Sequence, residues 1–198
     1  MPRTLSLTFD DGPEPTWSAR VVKTLQRCDA HGTFFLIGER VRDTPELARA
    51  IAASGNEVQL HCHRHIRHSE LSEAEIEQDT REALCALASV GLRPTCWRTP
   101  WGVTTAETRR VARRHGLRLV HWTIDTHDWR GDTAEAMLTR AHSQLGTGGV
   151  VLMHDGLGPG SRRESCENTV ELIRPLVDAA RSEGLDVGPL RSVAVGRG

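Results

Sequence analysis

Tyrosine is absent from all 198 residues, and aromatic side chains amount to only 4% of them. Lysine is almost absent as well: of 25 basic residues only Lys23 is a lysine, a bias that fits GC-rich codon usage and carries no function. Charge of one sign is also lacking, since 25 Lys+Arg face 26 Asp+Glu for a net charge of -1. That balance speaks against a dedicated nucleic-acid binder and against a polybasic membrane anchor. No apolar run approaches the length of a transmembrane helix. The opening residues, MPRTLSLTFD, hold no apolar signal core and no cleavage site, so a cytoplasmic protein is expected. Five cysteines, Cys28, Cys62, Cys85, Cys96 and Cys166, are odd in number and show no CxxC spacing. A disulfide framework and a zinc–thiolate site are both disfavoured. No G-x-G-x-x-G or P-loop follows a strand, which leaves nucleotide binding without support. The one glycine-rich stretch, Gly156-Leu157-Gly158-Pro159-Gly160, reads as a surface turn.

What is present is an ordinary globular composition, 38% hydrophobic and 26% charged, in a length that suits one domain over 1–198. Leu5, Leu7 and Phe9 fall on every second residue and predict a strand ending at Phe9 or Asp10. Further strands are predicted at Thr33 to Ile37, Glu57 to Leu60, Thr95 to Arg98, Arg118 to Ile124 and Gly149 to Met153, with a short closing strand at Leu190 to Val195. Helices are predicted between them: one capped by Thr16, one from Thr44-Pro45 to Gly55, and one opened by a Ser72–Glu75 capping box and closed by Gly91. Three more end at Gly116, span Thr133 to Leu145, and run from about Ser165 to Arg181 with Pro175 as a kink. Six or seven consecutive βα units favour a parallel sheet covered by helices, either open and doubly wound or closed as a barrel.

The reactive side chains follow the strands. Asp10 and Asp11 come after the first, His61, His63, His65 and His68 after the third, Arg98 after the fourth, Asp125 and Asp128 after the fifth, and His154-Asp155 after the sixth. In parallel βα architectures these loops share one face, where ligands bind. Taken alone, Asp10-Asp11-Gly12-Pro13 reads as a plain turn. His61 and His65 have the spacing that, on a helical turn, aims two imidazoles at one metal, whereas His63 and His68 stay ambiguous. Two histidines and a carboxylate leave an open coordination position, the pattern of a catalytic metal. Arg98 could hold a carboxylate bidentately, Trp97 reads as core, and Trp101 could form an apolar or sugar-stacking wall. His154 emerges from an apolar strand, where a nearby carboxylate would set its protonation.

In order, Thr8-Phe9-Asp10-Asp11-Gly12-Pro13, His61-x-x-x-His65, Arg98-x-Pro100-Trp101-Gly102, Asp125-x-x-Asp128-Trp129 and Val150-x-Leu152-x-His154 resemble the five signature motifs of the polysaccharide deacetylases, carbohydrate esterase family four. The resemblance spans about residues 4 to 155 and implies an α/β fold, a single-domain distorted (β/α)7 barrel. It implies metal-dependent hydrolysis of an acetyl group, usually an N-acetyl on an amino sugar. Asp11, His61 and His65 would be the metal ligands, for zinc first and cobalt as the alternative. Asp10 would be the general base, held by Arg98. His154 would be the general acid, oriented by Asp128. Trp129 and Leu152 would border the acetyl methyl, and the Trp101 N–H would share the oxyanion.

The chain departs from the family at two motif positions. Trp101 stands where tyrosine is usual, and Cys62 where a serine or threonine helps to brace the ligand loop. With no leader and no wall-anchoring domain in sight, a soluble acetylated amino sugar or other acetylated small molecule is expected over a chitin or peptidoglycan polymer. Two rivals fare worse. A metal-free amide hydrolase would not keep Asp11, His61 and His65, and a non-catalytic carbohydrate-binding module would not keep both Asp10 and His154. No nucleic-acid or membrane partner is expected, and nothing in the residues speaks to oligomeric state.

Overall fold

β1 (Thr4–Asp10) buries six of its seven residues, and its two faces differ. Leu5, Leu7 and Phe9 enter the main core against Val21 and Leu25 of α1 (Trp17–Arg27) and Leu172 and Leu176 of α7 (Glu167–Ser182). Ser6, Thr8 and Asp10 are buried on the opposite face, because successive strand side chains alternate. The structure is a computed structural model that describes residues 3–190.

Around β1 run β2 (Thr33–Ile37), β3 (Glu57–Cys62), β4 (Cys96–Trp97), β5 (Arg118–Leu119), β6 (Ile124–Asp125), β7 (Gly149–His154) and β8 (Asp186–Val187). Every pairing is parallel, in the order β5-β4-β3-β2-β1-β7-β6, with β8 joined to the start of β1. The intervening helices are α2 (Gly38–Asp43), α3 (Pro45–Ala53), α4 (Glu73–Ser89), α5 (Ala106–Arg114) and α6 (Ala134–His142). This is the expected distorted (β/α)7 barrel. The alternation of β1 repeats around it: Phe34, Leu36, Trp97, Val151 and Met153 join the outer core, whereas Phe35, Cys96 and Val150 form a small inner cluster with Val120 and Leu190.

Three expectations need correction. The strand foreseen from Arg118 to Ile124 is two strands, one on each edge of the sheet. β5 pairs with β4 and β6 with β7, and residues 120–123 cross the seam, with Val120 N–H donating to Trp97 O and Thr123 N–H to Val150 O, both at 2.9 Å. Of this stretch Val120 is buried beside one edge and Ile124 at the other. A short helix, α2, precedes α3 where none was foreseen. Thr16 and Thr44 give no side-chain cap: Glu14 accepts from Trp17 N–H instead, and the Thr44 hydroxyl donates to Arg40 O. The foreseen closing strand lies, apart from Leu190, outside the described residues, and β8 is formed four residues earlier. The capping box at Ser72 and Glu75 forms with both arms, and α7 runs through Pro175.

Candidate active site

Inward-facing positions at the carboxyl ends of the strands bring the polar residues together. Asp10 lies on the inner face of β1, His61 on that of β3, and Leu152 and His154 on that of β7. Arg98, one residue past β4, alternates with outward-facing Trp97. A cavity of about 360 Å³ opens at this end, lined by Asp10, Asp11, His61, His65, Trp101, Trp129, Leu152 and His154 among others. That is the scale of a small-ligand site.

Asp11 takes a left-handed backbone, φ 75°, which turns its carboxylate away from that of Asp10. His61 and His65 each place Nε2 3.3 Å from Asp11 Oδ1. The two imidazoles converge, although not on a helical turn as expected: His61 lies in the last two residues of β3 and His65 follows in an irregular loop. Asp79 of α4 braces that loop, accepting the His63 N–H at 2.7 Å and the Arg64 N–H at 2.8 Å. Arg40 donates to Asp11 O at 2.6 Å and to Leu157 O at 2.8 Å, which ties the loop after β7 to the loop after β1. The glycine-rich stretch is therefore no free surface turn. It forms a wall of the cavity, and a Cβ at Gly158 would fall 2.3 Å from Asp11 Oδ2.

Arg98 is fully buried. Its Nη1 donates to Asp10 Oδ1 at 2.8 Å and to Thr8 Oγ1 at 2.7 Å, while Nη2 reaches His121 O at 3.3 Å. The fork thus spans the strand and the seam and holds Asp10 by one nitrogen, not bidentately. Across the cavity, His154 Nδ1–H donates to Asp128 Oδ1 at 2.7 Å. Burial pushes the His154 pKa down, but the Asp128 charge and hydrogen bond, with Asp11 and Asp10 beyond, outweigh it and raise it to about 9. Burial likewise works against the Asp128 carboxylate, and His154, Arg163 and Thr169 overcome it to hold the pKa at about 2.

Trp101 sits at the rim, its ring edge-on to His65 at 4.2 Å and under the Arg67 guanidinium at 4.4 Å. Its backbone is left-handed, φ 52°, a conformation that costs a non-glycine residue ~1–2 kcal/mol. The Trp101 N–H forms no hydrogen bond within the described residues. His63 and His68 stand apart from this group. His63 lies 3.4 Å from Glu82, and His68 bonds Thr108 at 2.9 Å against the Trp97 ring, where burial pushes its pKa down to about 4.

A family model described as polysaccharide deacetylase matches residues 1–120. The chain belongs to the polysaccharide deacetylase family. A chitooligosaccharide deacetylase of Bradyrhizobium sp. is 32% identical over 195 residues, covering 95% of this chain and 89% of that protein. A peptidoglycan-N-acetylglucosamine deacetylase of Bacillus cereus is 30% identical over 154 residues, 77% of this chain and 72% of that protein. Among solved structures, a family 4 carbohydrate esterase from Streptomyces lividans in complex with acetate aligns with a TM-score of 0.85 at 30% identity, covering 94% of this chain and 92% of that one.

Polysaccharide deacetylases imply a divalent metal, and the residues present fit one. Asp11 Oδ1 is buried without a hydrogen-bond partner, and ligand atoms of Asp11, His61 and His65 lie within 4.8 Å of one another. His61 Nδ1–H donates to Arg98 O at 2.6 Å, which leaves its Nε2 lone pair free to coordinate. Burial lowers the His61 pKa, yet Asp10 and Asp11 outweigh it and raise it, and carboxylates that draw a proton so strongly also draw a cation.

Asp79, Arg40, Arg163 and Thr169 support this polysaccharide deacetylase site without lying in any of the motifs. They are remote in sequence from the groups they hold, so no local spacing marks them. Asp79→Ala is expected to loosen the His61–His65 loop and weaken divalent-metal affinity ~10–100-fold, as supports of metal ligands do. A zinc-chelator competition titration checks this, and an unchanged affinity would show that other contacts hold the loop.

Proposed function

We propose that this chain hydrolyses the N-acetyl group of an amino sugar, presented as a short soluble oligosaccharide or a smaller acetylated molecule, and that zinc, or cobalt in its place, sits on Asp11, His61 and His65. The observation that carries the reading is the pairing of two oppositely charged proton carriers in one cavity, the Asp10 carboxylate beside Arg98 and the His154 imidazolium beside Asp128. The named relatives act on acetylated amino-sugar chains by their own descriptions, which supports the choice of substrate.

When bound, the metal supplies Lewis acidity at the acyl carbonyl and acidifies water. Asp10 accepts the proton of the attacking water. Among the described residues only its Oδ1 is engaged, by Arg98, so Oδ2 is left for that proton. The free Trp101 N–H donates to the carbonyl oxygen as negative charge gathers there. The amine cannot leave as an anion, so His154 Nε2–H donates its proton to the departing nitrogen as the C–N bond breaks, yielding acetate and a free amine. Leu152 and Trp129 line the cavity at the position of the acetyl methyl, and Trp101 offers its indole to a sugar ring at the rim.

Three outcomes are expected. Asp10→Asn, with the metal retained, should lower turnover by ~10²–10⁴-fold, the usual cost of losing a general base. Near-normal activity in the metal-loaded variant would place the base elsewhere. His154→Ala should slow amide hydrolysis far more than hydrolysis of an activated aryl acetate, whose leaving group needs no proton. Because the donor is protonated below its raised pKa, the activity of the unaltered protein on amides should fall on the alkaline side, as His154 loses the proton that Asp128 holds above the usual imidazole range. Acetate release measured by mass spectrometry over N-acetylglucosamine, its short oligomers, acetylated metabolites and polymer tests the substrate. A rate that keeps climbing with chain length and is best on polymer would overturn the soluble-substrate reading.

A further inference from the structure

Asp128 and His154 reach each other from separate elements, a short 3-10 turn after β6 and the end of β7. An imidazole held by one hydrogen bond can still swing on its own side-chain torsions. A third residue, outside all five motifs, ties the two together. Arg163 belongs to the loop after β7, and its side chain is 5% exposed. Its Nη1 donates to Asp128 Oδ2 at 3.0 Å, to Asp128 O at 3.2 Å and to the Thr169 hydroxyl. Its Nη2 donates to His154 O at 3.1 Å and approaches Cys166 Sγ at 3.2 Å. Thr169 in turn donates to Asp128 Oδ2 at 2.7 Å, and the His154 N–H donates to the same oxygen at 2.8 Å. One residue earlier, the Arg162 N–H donates to Trp129 O at 2.9 Å, so the same segment also fixes the cavity wall beside the pair.

We propose that Arg163 is a positioning residue for the proton donor: its guanidinium locks the Asp128 carboxylate and the His154 main chain into one unit that keeps Nε2 of the imidazole aimed at the departing nitrogen. This rests on the reading of His154 as the donor. Opposite nitrogens of one planar group grip the two partners, which fixes their relative position and not merely each alone. The Nε of Arg163 is buried with no partner, so the burial of this side chain is not accounted for by satisfied hydrogen bonds alone. Besides Asp128, the charges acting on His154 are Asp10 at the end of β1 and Asp11 just past it. Without Arg163, Asp128 Oδ2 keeps only a hydroxyl and an amide, and the tie from the carboxylate to the His154 carbonyl is lost.

The test uses the zinc-loaded full chain. Arg163→Met keeps length and bulk but removes the charge and every donor. Turnover of an N-acetyl amino sugar is expected to fall ~30–100-fold, the scale of an ångström of misplacement, with KM, zinc content and aryl acetate hydrolysis changed by less than ~threefold. Arg163→Lys, which keeps the charge without the planar fork, should recover part of the loss. Equal losses on amide and ester, or an undiminished amide rate, overturn the proposal. His154→Ala is measured alongside. If it separates amide from ester and Arg163→Met does not, the positioning role is wrong and the donor reading stands. If His154→Ala fails to separate them, the donor reading falls and takes the positioning role with it. Should Arg163→Met not fold, as judged by thermal melting, Arg163→Lys carries the same test: a loss on amide alone supports the role, and no loss or a shared loss overturns it.

Discussion

In a parallel sheet curled on itself, every second side chain points inward and every strand ends at the same rim. That constraint places the chemistry of this protein. Asp10, His61, Leu152 and His154 are far apart along the chain, yet each occupies an inward position at the carboxyl end of its strand, and Arg98 continues the same alternation one residue past β4. Outward neighbours such as Phe9, Leu60, Trp97 and Met153 are locked into the apolar layer under the helices. A one-residue slip of any strand would exchange the two sets. The packing of the outer core is thus also what holds the site in register.

The inward set is costly, because it puts charge where water is scarce. The structure answers with pairs at fixed geometry. Arg98 lies between Thr8, Asp10 and the seam, its guanidinium 4.2 Å above the Phe35 ring. Arg163 and His154 share Asp128 from two sides. Asp155, buried behind the turn after β1, has no cation among the described residues and is instead pushed up to about 7, chiefly by burial, while Ser18 donates to it. Its presence explains one glycine: a Cβ at Gly12 would fall 2.3 Å from Asp155 Oδ2. Removing one partner from any such pair leaves a buried charge uncompensated, which costs more than the pair itself contributes.

The loops act as parts of this framework. Gly158 lets the main chain after β7 lie against Asp11, and Arg40 fastens the two together. Asp79, reaching from α4 to two main-chain N–H groups, holds the His61–His65 loop in a chain whose second motif carries Cys62.

Much of this was legible in the residues alone. The period-two pattern located β1, short apolar runs located β2 and β7, the Ser72–Glu75 box located the start of α4, and five motifs named the polar groups that the cavity gathers. These signals are local, and local preferences act through nearest neighbours along the chain. What the sequence could not show was set by neighbours distant along it. The stretch 118–124 reads as one strand because no glycine or proline interrupts it, and only the curl of the sheet splits it between two edges. His61 and His65 suggest a helix by spacing, whereas the end of β3 and the Asp79 brace impose an irregular loop. Glycines 156–160 have the composition of an exposed turn, and only the position of Asp11 shows why side chains are excluded there. Arg163 has no pattern at all, since its partners lie 35, nine and six residues away and meet it only once β6, β7 and α7 have packed.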